Sequence, residues 1–218
     1  MCDCTTFIDY DDTLFPTTEM ATLADKQGIS ISELEISDAY MVKMNTLQDK
    51  IIELFKAIKY FGNICILTNA SLGWITESLE RYMPKIYKMY KKSSIKVISA
   101  SHESLAYNEN HNNNPKDWKY YSMTKYLQNK NNHYIISIGD SMYEADASSE
   151  IKYEIGLDGL HYNSPRNIYT IKFSECSNID GLILQLDKLT REFENILTKC
   201  HNSEEIHAFL LHENYIVK

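Results

Sequence analysis

The chain has 218 residues, 44% hydrophobic and 24% charged, with 4 prolines and 7 glycines. That suits one α/β domain with room for a small insertion and excludes collagen-like, proline-rich and wholly disordered chains. Thirty acidic against 22 basic residues leave a net charge of -8, a sign that repels polyanions, so general nucleic-acid binding is not expected.

A mean hydropathy of -0.38 is that of a soluble globule, and no apolar run approaches the roughly 20 residues that cross a bilayer. The first six residues lack the basic and apolar regions of a secretory signal, so a cytoplasmic or nuclear protein is expected. Five cysteines, an odd number with Cys65 inside an apolar run, fit thiols kept reduced. Cys2-x-Cys4 has no second Cys or His pair nearby to complete a zinc site.

Thr5 to Asp9 is a short β-favouring run that ends in acid, as a central strand does when its C-terminal end opens on a site. From Phe15 to Tyr60 the pattern turns helical, loosely through Leu23, Ile29, Ile31, Leu34 and Ile36 and regularly through Leu47, Ile51, Leu54, Phe55 and Ile58. Gly62 is a stop signal, and Ile64 to Thr68 reads as a second buried strand. Asn69 to Lys92 is helical again, with a break at Pro84. Its lysines Lys85, Lys88, Lys91 and Lys92, with Lys96, read as a solvated basic face.

Ile95 to Ser99 is a third strand, and Asn108 to Pro115 a polar loop. Trp118 to Leu127 is a helix, Tyr134 to Gly139 a fourth strand, Tyr169 to Phe173 a fifth, and Asp180 to Thr198 a closing amphipathic helix. The alternation predicts a Rossmann-like three-layer α/β sandwich with a mostly parallel central sheet. We expect a single domain over 1–218, with a small cap or flap at 15–44 and a C-terminal helical segment at 174–218.

Acids cluster at the strand ends. Asp9 and Asp11 follow the first strand, where a carboxylate can meet a substrate and a divalent cation; Asp12 reads as a cap or loop anchor. Thr68 puts a hydroxyl at the end of the second strand, able to donate to a phosphoryl oxygen, with Asn69 beside it. Gly139-Asp140 ends the fourth strand, and Glu144 lies one helical turn beyond, so both acids can serve one hard cation directly or through water. Lys119, about twenty residues before Asp140, can bring positive charge over the same mouth; Lys116 and Lys125 compete with it.

Asp9-x-Asp11-x-Thr13, Thr68 after an apolar strand, a lysine ahead of the last motif, and Gly139-Asp140-x-x-x-Glu144 resemble the four ordered motifs of the haloacid dehalogenase-like (HAD) hydrolase superfamily. The resemblance covers residues 5 to about 146 and departs from the commoner pattern in having Glu144 where Asp is usual, with Asp146 as the alternative acid. It implies that Asp9 is a nucleophile that becomes an aspartyl-phosphate, that Asp11 is the general acid and then base, and that Thr68, Asn69 and Lys119 cradle the phosphate. Mg2+ would sit among Asp9, the Asp11 backbone carbonyl and Asp140, with Glu144 behind.

The expected function is therefore a Mg2+-dependent phosphatase. The short cap leaves an open site, which suits a small phosphoester or a phosphoprotein as substrate. The alternatives are a catalytically weak HAD-fold binding or regulatory protein, which should have lost Asp9 or Asp11, and a receiver-like module, whose acceptor position here holds Ser99.

Overall fold

The computed structural model describes residues 4–92, 95–105, 115–128, 134–157, 167–175, 178–201 and 208–210. The chain alternates as expected: β1 (Cys4–Ile8), α1 (Thr17–Asp25), a 3-10 turn (Ile31–Glu33), α2 (Asp38–Phe61), β2 (Gly62–Thr68), α3 (Leu72–Tyr82) and α4 (Pro84–Lys91). Then follow β3 (Lys96–Ser99), α5 (Ala100–Leu105), α6 (Pro115–Leu127), β4 (Tyr134–Gly139), α7 (Met142–Leu157), β5 (Asn167–Lys172), α8 (Ile179–His201) and β6 (Ala208–Leu210). The expected polar loop falls almost wholly on 106–114, outside the described residues.

The strands form one sheet in the order β3-β2-β1-β4-β5-β6, every neighbouring pair parallel. Alternating side chains leave the two faces of the sheet for two separate cores. Ile64, Ile66, Ile136, Ile138 and Ile171 join one core with residues of α1, α2, α3, α4 and α8; Phe7, Cys65, Leu67, Ile135 and Ile168 join the other with α5, α6 and α7. Helices therefore cover both faces, an α/β sandwich.

The helix signals read from the sequence act as physical devices here. Leu47, Ile51, Leu54, Phe55 and Ile58 are all buried on α2, and the Ser37 side chain caps that helix by accepting from the Tyr40 N–H at 3.2 Å. Pro84 opens α4 at its first turn, where no intrahelical N–H bond is lost. Gly62 both ends α2 and begins β2, and a Cβ there would run into the Cys4 carbonyl oxygen across the β1–β2 pair.

Residues 15–44, expected as a small cap or flap, contribute Phe15, Met20, Ala24, Leu34 and Met44 to the core of the α2 face. Over 174–218 the structure adds a strand to the expected helix: β6 pairs with β5, Ile171 opposite Phe209, while 202–207 and 211–218 lie outside the described residues. Among the described residues no helix is long and apolar enough to cross a membrane.

The chain runs from β1 to β2 on one side of the sheet and from β4 to β5 on the other, so the strand order reverses between β1 and β4. Connections diverge there, and the crevice beyond the strand ends is where open parallel sheets bind ligands. Asp9 and Asp140 are the first residues past those two strands.

Candidate active site

Asp9 continues β1 for one more hydrogen bond, its N–H donating to the Ile138 carbonyl at 2.8 Å, so the turn after β1 is anchored on β4. The Asp9 side chain is 8% exposed and that of Lys119 3%. The Lys119 Nζ stands 2.7 Å from Asp9 Oδ1, a buried ion pair between residues 110 apart in the sequence, and also pairs with Glu144 Oε1.

Burial works to lower the Lys119 pKa, but the Asp9 and Glu144 charges outweigh it and hold the ammonium above its ordinary value. Burial pushes the Asp9 carboxyl above the usual carboxylate range; Lys119 opposes that shift and Glu144 and Asp11 add to it. Of the competing lysines, Lys125 is exposed, with its Nζ 3.5 Å from Glu103 Oε2. The Lys116 side chain is outside the described set.

Asp11 is held by three donors from three elements. Its Oδ1 accepts from the Thr17 hydroxyl of α1 at 2.6 Å and the Trp74 indole Nε1 of α3 at 3.0 Å, and its Oδ2 accepts from the Thr68 hydroxyl at 3.2 Å. Thr68 is itself oriented by the Ala70 N–H, which donates to its Oγ1 at 3.0 Å. In this arrangement Thr68 holds Asp11. Asn69 is half-buried, its amide 3.5 Å from the Pro115 carbonyl at the start of α6 and its Oδ1 buried without a partner among the described residues.

Asp12 is an anchor, as expected. It adopts a positive φ of 53° and its carboxylate accepts from the Thr18 N–H at 2.9 Å and the Thr18 hydroxyl at 2.5 Å, tying the turn to the first turn of α1.

At the end of β4, Asp140 Oδ1 accepts from the Thr13 hydroxyl at 3.4 Å. Burial pushes its carboxyl up to about 6, with Glu144 and Asp12 adding and Lys119 opposing. Glu144 is 4% exposed, whereas Asp146 is exposed. Both Glu144 oxygens are taken: Oε1 by Lys119, and Oε2 by the Ser141 N–H at 3.2 Å and the Ser141 hydroxyl at 2.6 Å. Its side chain lies against Gly139, where any Cβ would collide with it, which explains the glycine before Asp140.

The structure thus brings Asp9, Lys119 and Glu144 together as one cluster and Asp11 with Thr68 as another, with Asp140 beside them on the neighbouring strand. Three participants escape a sequence reading. Trp74 and Thr17 reach Asp11 from helices where they look like an apolar-face aromatic and an ordinary first-turn threonine. Lys172, level with Gly139 in the β4–β5 register, turns its ammonium to the Asp140 carbonyl and lies 3.1 Å from Glu175 Oε1.

Among the described residues no three His, Cys, Asp or Glu side chains form a metal cage. The site offers instead Asp9 and Asp140 from adjacent strands, with carboxyl pKa values raised by burial and by one another's acidic neighbours. That donor set fits Mg2+, which keeps several waters and takes one or two carboxylates together with substrate phosphate. It fits Zn2+ poorly, since nitrogen and sulfur ligands are absent from this cluster. No protein-family model, curated protein or solved structure matches the chain.

Proposed function

We propose that the protein is a Mg2+-dependent phosphohydrolase of the haloacid dehalogenase-like type, passing a phosphoryl group from a phosphomonoester to Asp9 and then to water. The observation that carries this reading is the buried Asp9–Lys119 pair at the point where the strand order reverses, with Asp11 harnessed two residues on. An ion pair so buried is a poor way to stabilise a fold, and a strongly perturbed carboxyl in a crevice marks a candidate catalytic group.

In the first step an Asp9 oxygen attacks phosphorus in line, and the bond from phosphorus to the ester oxygen breaks. Lys119 takes Oδ1, which presents Oδ2 for attack. Asp11 in its acid form gives its proton to the departing oxygen. In the second step water attacks the aspartyl-phosphate, the Asp11 carboxylate takes the water's proton, and the phosphorus–oxygen bond to Asp9 breaks, freeing phosphate and restoring Asp9. Bound Mg2+, held by Asp9 and Asp140 and, as the resemblance implies, by the Asp11 carbonyl, supplies positive charge that lets an anionic phosphate approach a carboxylate. Asn69 serves as a polar donor to the phosphate, Thr68 acts by donating to Asp11 and holding it, and Glu144 acts by holding Lys119 and the turn at Ser141.

The test is steady-state hydrolysis of p-nitrophenyl phosphate with and without EDTA, in the wild type and Asp9→Asn. We expect Mg2+-dependent turnover that drops by at least about a thousandfold in the variant, whose circular dichroism stays native. A folded wild type that binds Mg2+ and turns over no phosphoester would instead be a binding or regulatory protein.

A further inference from the structure

The proposed reaction asks one carboxyl, that of Asp11, to give a proton to the departing oxygen and later to take one from water, so its direction matters as much as its presence. Among the described residues its side-chain donors are all neutral. The Thr17 hydroxyl at 2.6 Å and the Trp74 indole N–H at 3.0 Å both donate to Oδ1, and the Thr68 hydroxyl donates to Oδ2 at 3.2 Å. A carboxylate oxygen offers two lone-pair positions. Oδ1 has both taken, whereas Oδ2 keeps one, among the described residues, to carry a proton or to meet one.

The two donors on Oδ1 are themselves fixed by their surroundings. Trp74 lies in the first turn of α3, where its backbone N–H donates to the capping Ser71 hydroxyl at 3.2 Å. Its ring meets Phe15 edge-on, with centroids 5.7 Å apart and planes at 85°, and Phe15 in turn stacks on Tyr10 at 5.6 Å. Thr17 opens α1, its N–H donating to the Phe15 carbonyl at 2.8 Å, and the next residue is tied to Asp12. Asp11 is half-buried, so water could satisfy its oxygens, and exchanging water for protein donors adds little net stability. What donors on anchored helices add is direction.

We propose that Trp74 and Thr17 are positioning residues for the proton transfers: by filling Oδ1 they leave Oδ2 as the oxygen that protonates the leaving group and then takes the proton of the attacking water. The proposal rests on the phosphohydrolase reading and adds which oxygen works and what aims it. In the first step the Oδ2 proton goes to the ester oxygen as its bond to phosphorus breaks. In the second, a water proton goes to Oδ2 as the water oxygen bonds to phosphorus and the bond from phosphorus to Asp9 breaks. Without either donor on Oδ1 the carboxyl can turn about its own axis, and the loss falls on substrates whose departing oxygen needs a proton.

The test compares kcat/KM with Mg2+ for p-nitrophenyl phosphate, whose leaving group departs readily as an anion, and phenyl phosphate, a similar ester whose poorer leaving group gains from a proton. In Trp74→Phe, which keeps a ring against Phe15, and in Thr17→Val, which keeps the shape of the side chain, the ratio of the p-nitrophenyl to the phenyl value should rise about tenfold over the wild type, towards that of Asp11→Asn. Thr17→Ser, which keeps the hydroxyl, should hold the ratio within about threefold of the wild type. Trp74→Phe added to Asp11→Asn should not move the ratio further, because the indole acts through that carboxyl alone. Either single variant serves should the other fold poorly by circular dichroism. An equal loss on both esters, a ratio that does not move, or a wild type that turns over p-nitrophenyl but not phenyl phosphate would overturn the proposal and leave the phosphohydrolase standing. If the wild type turns over neither ester, the phosphohydrolase itself is wrong and the proposal goes with it.

Discussion

One buried ammonium faces two buried carboxylates in the site, and this charge balance governs its behaviour. Removing Lys119 while Asp9 and Glu144 stay leaves acids with no counter-ion in a place water barely reaches. Lys119→Met should therefore destabilise the protein by on the order of 3–5 kcal/mol at pH 8 in urea unfolding. The loss should shrink at pH 5, where the folded state can hold a proton on the orphaned Asp9 carboxyl, already raised by burial; a loss independent of pH would contradict this. Asp140 titrates in an accessible window: with its pKa raised from 3.8 to about 6, the folded protein binds that proton more tightly than the unfolded chain. Its contribution to stability accordingly falls as pH rises from about 4 to 6. Mg2+ needs the ionised form, so the rise in Tm it produces should be larger at pH 7.5 than at pH 5, and an equal rise at both would count against Asp140 as a ligand. Asp9, Asp11 and Asp140 were legible in the sequence because each follows an apolar run that can only be a buried strand. Trp74 and Lys172 were not, because each reaches a residue remote in sequence, and Thr17, only six residues from Asp11, reaches it through a turn whose path no local pattern encodes.

Among the elements, α2 shows how far periodicity carries. Its buried positions follow the helical repeat and pack against α8 and the sheet, so Leu54→Ala, at a site with 0% exposure, should cost about 3 kcal/mol in urea unfolding. Because Leu54 is far from Asp9 in chemistry, Mg2+-dependent turnover by the fraction still folded should be unchanged; a loss of under about 0.5 kcal/mol would mean that the helix is not packed as described. The first half of the same stretch was harder to read. Leu23, Ile29, Ile31, Leu34 and Ile36 have no clean repeat because they belong to α1, a 3-10 turn and an extended link, pinned by the Tyr82 hydroxyl, which donates to the Ile31 carbonyl at 2.6 Å and the Leu34 carbonyl at 2.8 Å. β6 was missed for another reason. Three residues, Ala208–Leu210, are too short to show alternation, and their partner strand is set by the sheet.

At the scale of the whole molecule, the site follows from topology. A parallel sheet whose order reverses between β1 and β4 leaves a crevice at those two strand ends, and the chain puts its acids there, with α6 bringing Lys119 in from the opposite face to α2. A net charge of -8 would repel an anionic substrate unless the site itself carried compensating positive charge, which Lys119 and Mg2+ would provide. The central claim is that Asp9 carries the phosphoryl group, and the most direct measurement is to quench turnover in acid and locate the covalent phosphoryl group by tandem mass spectrometry. The account predicts a phosphoryl group on Asp9, absent without Mg2+ and absent in Asp9→Asn. A phosphoryl group on any other residue, or Asp9→Asn protein that still turns over substrate at the wild-type rate, would contradict it.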